Sequence, residues 1–311
     1  KDDKLVLCIG MCVLDIIHTC EQYPEEDTDK RCIRGHWQRG GNASNNCTVL
    51  RHFGQKCEFL GVLSQSKAFQ FLIEDCNERG IKIDNCPRVD QDPPFSSVIL
   101  NTKSHTRTII HSNSNFPILR YDNFKKIDLN RYRWIHFEGR NPEETTQMIE
   151  MIIDYNKTKL NEGGHDKDII KISVELEKVK EELLVLTNNA DYIFLGKDIA
   201  LHLGWHDKKG AVYGLRERIS NKSGIIICTW GSDGSAILDG SDKYFEAPAC
   251  PPDVILDTLG AGDTFCATTI YGLMLGRSVQ DAVVLANKVT GRKLAHYGYD
   301  EVGNILRDLM K

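Results

Sequence analysis

Short apolar runs alternate with stretches at helical spacing along nearly the whole chain, and this alternation constrains the fold more than any other feature. Leu5–Ile9, Cys57–Leu63, Arg133–Glu138, Ile169–Glu175, Asp191–Leu195 and Gly224–Trp230 have the length and apolar continuity of buried strands. Helical patterns lie between them. In Pro142–Tyr155, Met148, Ile149, Ile152 and Ile153 fall on one face, Pro142 suits the first helical position, and Asn141 is placed to cap it. Strands that each return through a helix give a parallel sheet covered on both faces, so the chain is expected to be α/β. Its 311 residues, with no internal repeat or linker composition, are expected to form one domain over 1–311.

Two regions break the alternation. One runs from about Met11 to His36. The other, Phe95–His111, reads as a hairpin around Asn101–His105. Neither is followed closely by a helix, so segments at about 11–36 and 95–113 are expected to form a small β-sheet lid. A further hairpin is expected at Ser235–Ala247, turning at Asp239-Gly240.

Charge and cysteine usage narrow the function classes. With 39 Lys and Arg against 44 Asp and Glu, the net charge of −5 leaves no broad basic field for nucleic acid or an anionic membrane. Local runs such as Lys125-Lys126 read as solvated faces. The eleven cysteines are odd in number, include no Cys-x-x-Cys pair, and sit mostly in apolar runs, as Cys8 and Cys228 do. That is the behaviour of reduced core thiols and points to a cytoplasmic protein. The charged lead Lys1–Lys4 opens onto an apolar run too short for a signal peptide or a membrane span, and the absence of an initiator Met leaves room for a short leader. The sequons at Asn42, Asn46 and Asn221 read as chance matches.

The sharpest chemical signal is Asp257-Thr258-Leu259-Gly260-Ala261-Gly262-Asp263-Thr264-Phe265, between Val254–Leu256 and a helical pattern that runs to Leu275. Gly260 and Gly262 permit a tight backbone, and the amides of Gly260, Ala261 and Gly262 at a helix start form an anion cradle. A carboxylate beside such a cradle suits a base that takes a proton from the group attacking a phosphate. By itself the Gly-x-Gly-Asp string would read first as a helix cap, and the full string with its partners reverses that. Gly40-Gly41-Asn42-Ala43-Ser44-Asn45-Asn46 opens another helix, and Asn42 and Asn45 offer amide donors and acceptors suited to vicinal hydroxyls. Asp15 lies inside the apolar run Val13–Ile17, where a carboxylate needs a partner. Trp230-Gly231-Ser232-Asp233-Gly234 ends a strand where α/β sheets take nucleotides, although alone it reads as a hairpin turn. Arg107, Glu138 and Lys197 read locally as surface charges. A dinucleotide-binding dehydrogenase is disfavoured, because Gly10-Met11-Cys12-Val13 lacks the later glycines of Gly-x-Gly-x-x-Gly.

Taken together, these strings resemble the ribokinase-like (PfkB) family of carbohydrate kinases. Gly40-Gly41-Asn42 is similar to its first signature and Asp257–Phe265 to its second. Trp37–Asn45, Arg133–Asn141, Ser173–Lys178 and Gly196-Lys197-Asp198 resemble its fructose-phosphorylating branch. The resemblance implies a three-layer α/β/α sandwich whose β-sheet lid pairs with a second copy, giving a homodimer. It implies ATP, Mg²⁺ and K⁺ as cofactors and D-fructose as substrate, phosphorylated at the 1-hydroxyl. It also implies that Asp15, Gly41, Asn42 and Asn45 hold the sugar, with Arg107, Glu138 and Lys197 near sugar and phosphates. Gly260, Ala261, Gly262 and Asp263 would form the catalytic turn. Gly231, Gly234, Thr258 and Asn287, with Gly260 and Gly262, would line the nucleotide side, and Asp27 would reach into the partner's site. The chain departs from much of the family at Lys197-Asp198-Ile199-Ala200, which stands where an Asn-x-x-Glu motif is common.

Overall fold

A computed structural model describes residues 4–113 and 115–311. Lys1 to Asp3, part of the charged lead, and Ser114 lie outside the described residues. In chain order the strands are β1 (Leu5–Ile9), β2 (Val13–Cys20), β3 (Arg34–Gly40), β4 (Cys57–Leu60), β5 (Leu63–Ser64), β6 (Arg88–Val89), β7 (Phe95–Asn101) and β8 (Thr106–Ser112). They continue with β9 (Tyr132–Glu138), β10 (Lys171–Leu176), β11 (Tyr192–Leu195), β12 (Ile225–Thr229), β13 (Ser235–Leu238) and β14 (Tyr244–Ala247). The α-helices are α1 (Asn42–His52), α2 (Phe71–Glu78), α3 (Tyr121–Phe124), α4 (Pro142–Asn161), α5 (Lys197–His202), α6 (Lys208–Arg218), α7 (Ala261–Met274), α8 (Val279–Lys293) and α9 (Val302–Leu309).

The main sheet runs β14-β13-β12-β11-β10-β9-β1-β4. From β4 to β12 every pairing is parallel, and the β12–β13–β14 edge is antiparallel. Side chains of β1 show the layering. Leu5, Leu7 and Ile9 join a core with Met148, Ile149 and Ile152 of α4 and Val212 and Leu215 of α6. Val6 and Cys8 join the opposite core with Val49 and Leu50 of α1, Phe265 and Ile270 of α7, and Val283 of α8. Both faces are therefore dry, which is why the strands are continuous apolar runs. Each of these aliphatic side chains contributes roughly 1.5–3 kcal/mol by leaving water. The result is a three-layer α/β/α sandwich.

The second sheet runs β3-β2-β7-β8 and holds the region where the alternation fails. β2 and β7 pair in parallel, and β3 and β8 flank them antiparallel. Its inner side packs Ile17, Val98 and Leu100 on Leu259 of the glycine-rich turn, so the two meet directly. Its junction with the main domain is fixed by Arg39. That buried guanidinium donates to Asp75 Oδ2 (2.7 Å), the Ser44 carbonyl (3.0 Å) and Thr48 Oγ1 (2.6 Å), tying β3 to α1 and α2.

All eleven cysteines are free thiols, and most are buried. The hairpin β13–β14 closes through Asp239, whose Oδ1 accepts from Ser241 and Lys243 amides. Asn141 takes the N-cap position of α4, but in a left-handed conformation without a side-chain capping bond. Among the described residues no helix is long and apolar enough to cross a membrane.

Candidate active site

Two helix starts converge on one carboxylate. Gly260 caps α7 with φ 72°, and Asp263 lies in the first turn, 7% exposed. The reading of Asp263 as a simple helix cap is not realised, since Gly260 takes the N-cap position and Asp263 lies inside the first turn. It accepts instead from Asn45 Nδ2 of α1 at 2.7 Å, across 218 residues of sequence. Asn46 Nδ2 holds the Asp263 carbonyl at 3.0 Å, and the Tyr299 hydroxyl approaches Oδ2 at 3.5 Å. Burial pushes the carboxyl up to about 7, the nearby Glu177 and Glu138 carboxylates push the same way, and Asn45 and Lys178 pull against them. A carboxyl near neutrality can gain and lose a proton under working conditions.

The turn in front of Asp263 is open. Gly262 is exposed in the first turn of α7, and a Cβ added there would meet nothing within 4 Å. A Cβ at Gly260 would strike the Tyr299 hydroxyl. At α1 the constraint is tighter. Gly41 has φ 96°, and its Cβ would lie 2.1 Å from the Met11 carbonyl.

Asp15 is buried on β2, between Gln38 of β3 and Ser96 of β7. Its carboxylate crowds Gly40, whose Cβ would lie 2.0 Å from Oδ2. Burial raises its pKa to about 6 against hydrogen bonds from Ser96 and Gln38. Asn42 Nδ2 donates to Glu175 Oε2 (3.0 Å) and Glu177 Oε2 (2.8 Å). Glu138, which reads locally as a surface charge, is 4% exposed. It accepts from the Met11 amide at 3.0 Å and from Arg140 Nε at 2.6 Å, and its carboxylate fills the space beside Gly10.

Of the remaining candidates, Gly234 and Asn287 are buried and the others are more open. Arg107 is exposed on the edge strand β8, close enough to act on Glu177. Lys197 is exposed at the start of α5, its ammonium 5.5 Å from the Trp230 ring centroid. Gly231 (φ 60°) and Gly234 (φ 81°) shape the turn after β12. Asn287 is drawn into packing, donating to Ser235 Oγ at 2.9 Å and tying α8 to β13. Thr258 borders a pocket of about 110 Å³ with Leu100, His105 and Tyr297, between the β7–β8 tip and the glycine-rich turn. Asp27 is exposed in the β2–β3 loop at φ 55°, away from these groups in sequence and burial.

Sequence reasoning passed over Glu175, Glu177, Tyr299 and Lys293. Glu175 carries the same signal as Asp15, a carboxylate in an apolar run (Ile172–Leu176). Burial, then Glu177 and Asp263, push its pKa well above the carboxylate range. A groove of about 350 Å³ lined by Cys250, Pro251, Pro252, Lys288, Arg292 and Leu309 was also not foreseen. Among the described residues no group of three or more His, Cys, Asp or Glu side chains is set to hold a metal ion.

With this geometry in view, the similarities are informative. The pfkB family carbohydrate kinase profile covers residues 3–300. Mouse ketohexokinase is 40% identical over 97% of this chain and 99% of its own length. An ATP-dependent 6-phosphofructokinase of Thermoanaerobacterium thermosaccharolyticum is 26% identical over 96% of this chain and 90% of its own. In fold, the chain is similar to Arabidopsis thaliana ribokinase complexed with ribose and ATP, with TM-score 0.78, 18% identity, and coverage of 100% and 99%. Ribokinase from Giardia lamblia gives TM-score 0.80 at 15% identity, with 99% of each chain covered. The chain belongs to the pfkB family of carbohydrate kinases, phosphotransferases that act on sugars.

Proposed function

We propose that this protein transfers the γ-phosphoryl group of ATP to the 1-hydroxyl of D-fructose, with Asp263 as the general base. The observation that carries the reading is the buried Asp263 carboxylate, held by Asn45 in the first turn of α7 beside the exposed Gly262. Similarity to mouse ketohexokinase supports a ketohexose as acceptor.

In this reading the sugar lies against Asp15, Gly41, Asn42 and Asn45, with the reacting hydroxyl at Asp263. Asp263 takes the hydroxyl proton as the oxygen attacks phosphorus. The Ala261 and Gly262 amides and the positive end of α7 stabilise charge on the transferred group, and Arg107 and Lys197 supply mobile positive charge nearby. Glu138 holds the β1–β2 link and the start of α1 in place. The nucleotide runs from Thr258 and Gly260 toward Gly231 and Gly234, and the Cys250–Pro252 groove offers its base apolar walls with Lys288 and Arg292 at hand.

Mg²⁺ fits a site without a protein cage, because it keeps waters and binds substrate phosphates with one or two carboxylates; when bound, it would screen phosphate charge. The second sheet closes the site as a lid and excludes water. Its edge strand β8 exposes Ile109 (47%) and Ile110 (57%), which suits pairing with the lid of a second copy and would bring Asp27 toward the partner's site. Free thiols favour a cytoplasmic setting.

The test is ADP release with ATP and Mg²⁺ across ketoses, aldoses and nucleosides, with the product position assigned by NMR. Fructose 1-phosphate is the expected product. Preference for an aldose or a nucleoside, or phosphorylation at another carbon, would overturn the assignment.

A further inference from the structure

Behind the glycine-rich turn lies a charged centre that the reaction scheme above does not use. Lys293, the last residue of α8, is 0% exposed. Its ammonium sits among three oxygens: the Asp257 carbonyl and Asp257 Oδ2, each at 3.2 Å, and the Leu259 carbonyl. Three N–H donors meet three acceptors, and a neutral amine would turn a lone pair on one of them. Asp257 is itself fully engaged. Its Oδ1 accepts from the Leu259 amide (2.8 Å) and its Oδ2 from the Gly298 amide (2.9 Å). Leu259 immediately precedes the left-handed Gly260 that starts α7. Tyr299 closes the ring, its aromatic face 5.5 Å from Nζ and its hydroxyl at Asp263.

A buried ion pair is weak support for stability, because desolvation offsets its attraction, while geometric specification is its better-attested use. Here the specified element is the backbone from Asp257 to Gly260. We infer that Lys293 is a positioning residue, a cation built into the chain that fixes this turn and so aims the α7 amides at the transferred phosphoryl group. The inference rests on the reading of that turn as the phosphoryl site. It also bears on potassium, which the family resemblance implies. A monovalent cation binds carbonyl and carboxylate oxygens, and the oxygens that back this turn are already taken by Nζ. K⁺ does not fit there while Lys293 is in place.

The test is Lys293→Ala in the full-length protein. Turnover is expected to fall about 10- to 100-fold, as for misplacement of a reacting group, while KM for the sugar stays within about threefold. Ammonium, methylammonium or K⁺ should restore kcat in the variant and leave the parent protein unchanged. Wild-type turnover in the variant would overturn the inference, as would a loss that no small cation restores. If Lys293→Ala does not fold, Lys293→Met combined with Asp257→Asn removes both charges at similar volume. Reduced kcat at unchanged Tm then supports positioning, and unchanged kcat overturns it. Failure of the parent reading is separable, because it would appear as absent sugar phosphorylation in the unmodified protein.

Discussion

The starts of α1 and α7 look alike in sequence, glycines followed by a polar helix turn, yet they are built for opposite purposes. At α1 the glycine is demanded by crowding: Gly41 has the Met11 carbonyl where a Cβ would be, and the first turn carries no acid. Its asparagines are donors, Asn42 to Glu175 and Glu177 and Asn45 to Asp263. At α7 the glycines differ between themselves. Gly260 is packed against Tyr299, whereas Gly262 faces open space, and the first turn carries the buried acid. One helix start is a rigid donor platform. The other is an exposed glycine turn with a buried carboxylate beside it, the feature read above as an anion cradle with its base. A glycine motif therefore identifies a helix start where backbone must come close to something, and the surroundings decide whether that something is protein or ligand.

The largest effect is expected where the proposed base, Asp263, is removed. Asp263→Asn should lower kcat about 10²- to 10⁴-fold with little change in ATP affinity, measured by steady-state kinetics and calorimetry. The same variant tests the cost of the buried acid. The folded pKa of Asp263, about 7, lies above its ordinary value, so its contribution to stability is full at low pH and lost as pH rises through 7. Above that pH, Asp263→Asn should be more stable than the parent by on the order of 2–4 kcal/mol, and the gap should close toward pH 4. Near-normal turnover would remove Asp263 as base.

The two glycines come next. Gly41→Ala, with positive φ and a backbone overlap, should destabilise by about 2–4 kcal/mol. Gly262→Ala should change stability by less than about 0.5 kcal/mol and yet impair phosphoryl transfer. Denaturant melts of both beside their kinetics give the contrast. Equal destabilisation would mean that Gly262 is not on an open face.

The smallest kinetic effect concerns Asn45. Asn45→Ala removes a 2.7 Å bond to the Asp263 carboxylate, a bond of about 1.5–3 kcal/mol. Since that bond pulls the pKa down, the acid limb of kcat/KM should move to higher pH. An unmoved limb would detach the donor platform from the base.

Much of the fold was legible because it follows from local periodicity. Apolar runs with both faces buried gave β1, β9, β10, β11 and β12 to within a few residues, and the β7–β8 and β13–β14 hairpins followed from their turns. Cys57–Leu63, which reads as one strand, splits into β4 at the edge of the main sheet and β5, which pairs with β6 in a separate two-stranded sheet. The candidate site was legible where the local sequence was odd, as at Asp15 among aliphatics and at the glycines before Asn42 and Asp263. Glu138 and Lys293 offered no such signal. Glu138 ends its strand just before Gly139-Arg140 and Lys293 follows Arg292, so each reads locally as a surface charge, and each is nonetheless buried.

By itself the sequence determined the α/β alternation, the break at the second sheet and the two glycine turns, because these depend on residues within a few positions of one another. The tertiary structure alone decided what surrounds each charge. It set Asn45 against Asp263, Glu138 against the Met11 amide, and Lys293 inside the Asp257 turn. Desolvation and hydrogen bonding depend on neighbours in space, and here those neighbours lie 218, 127 and 36 residues apart.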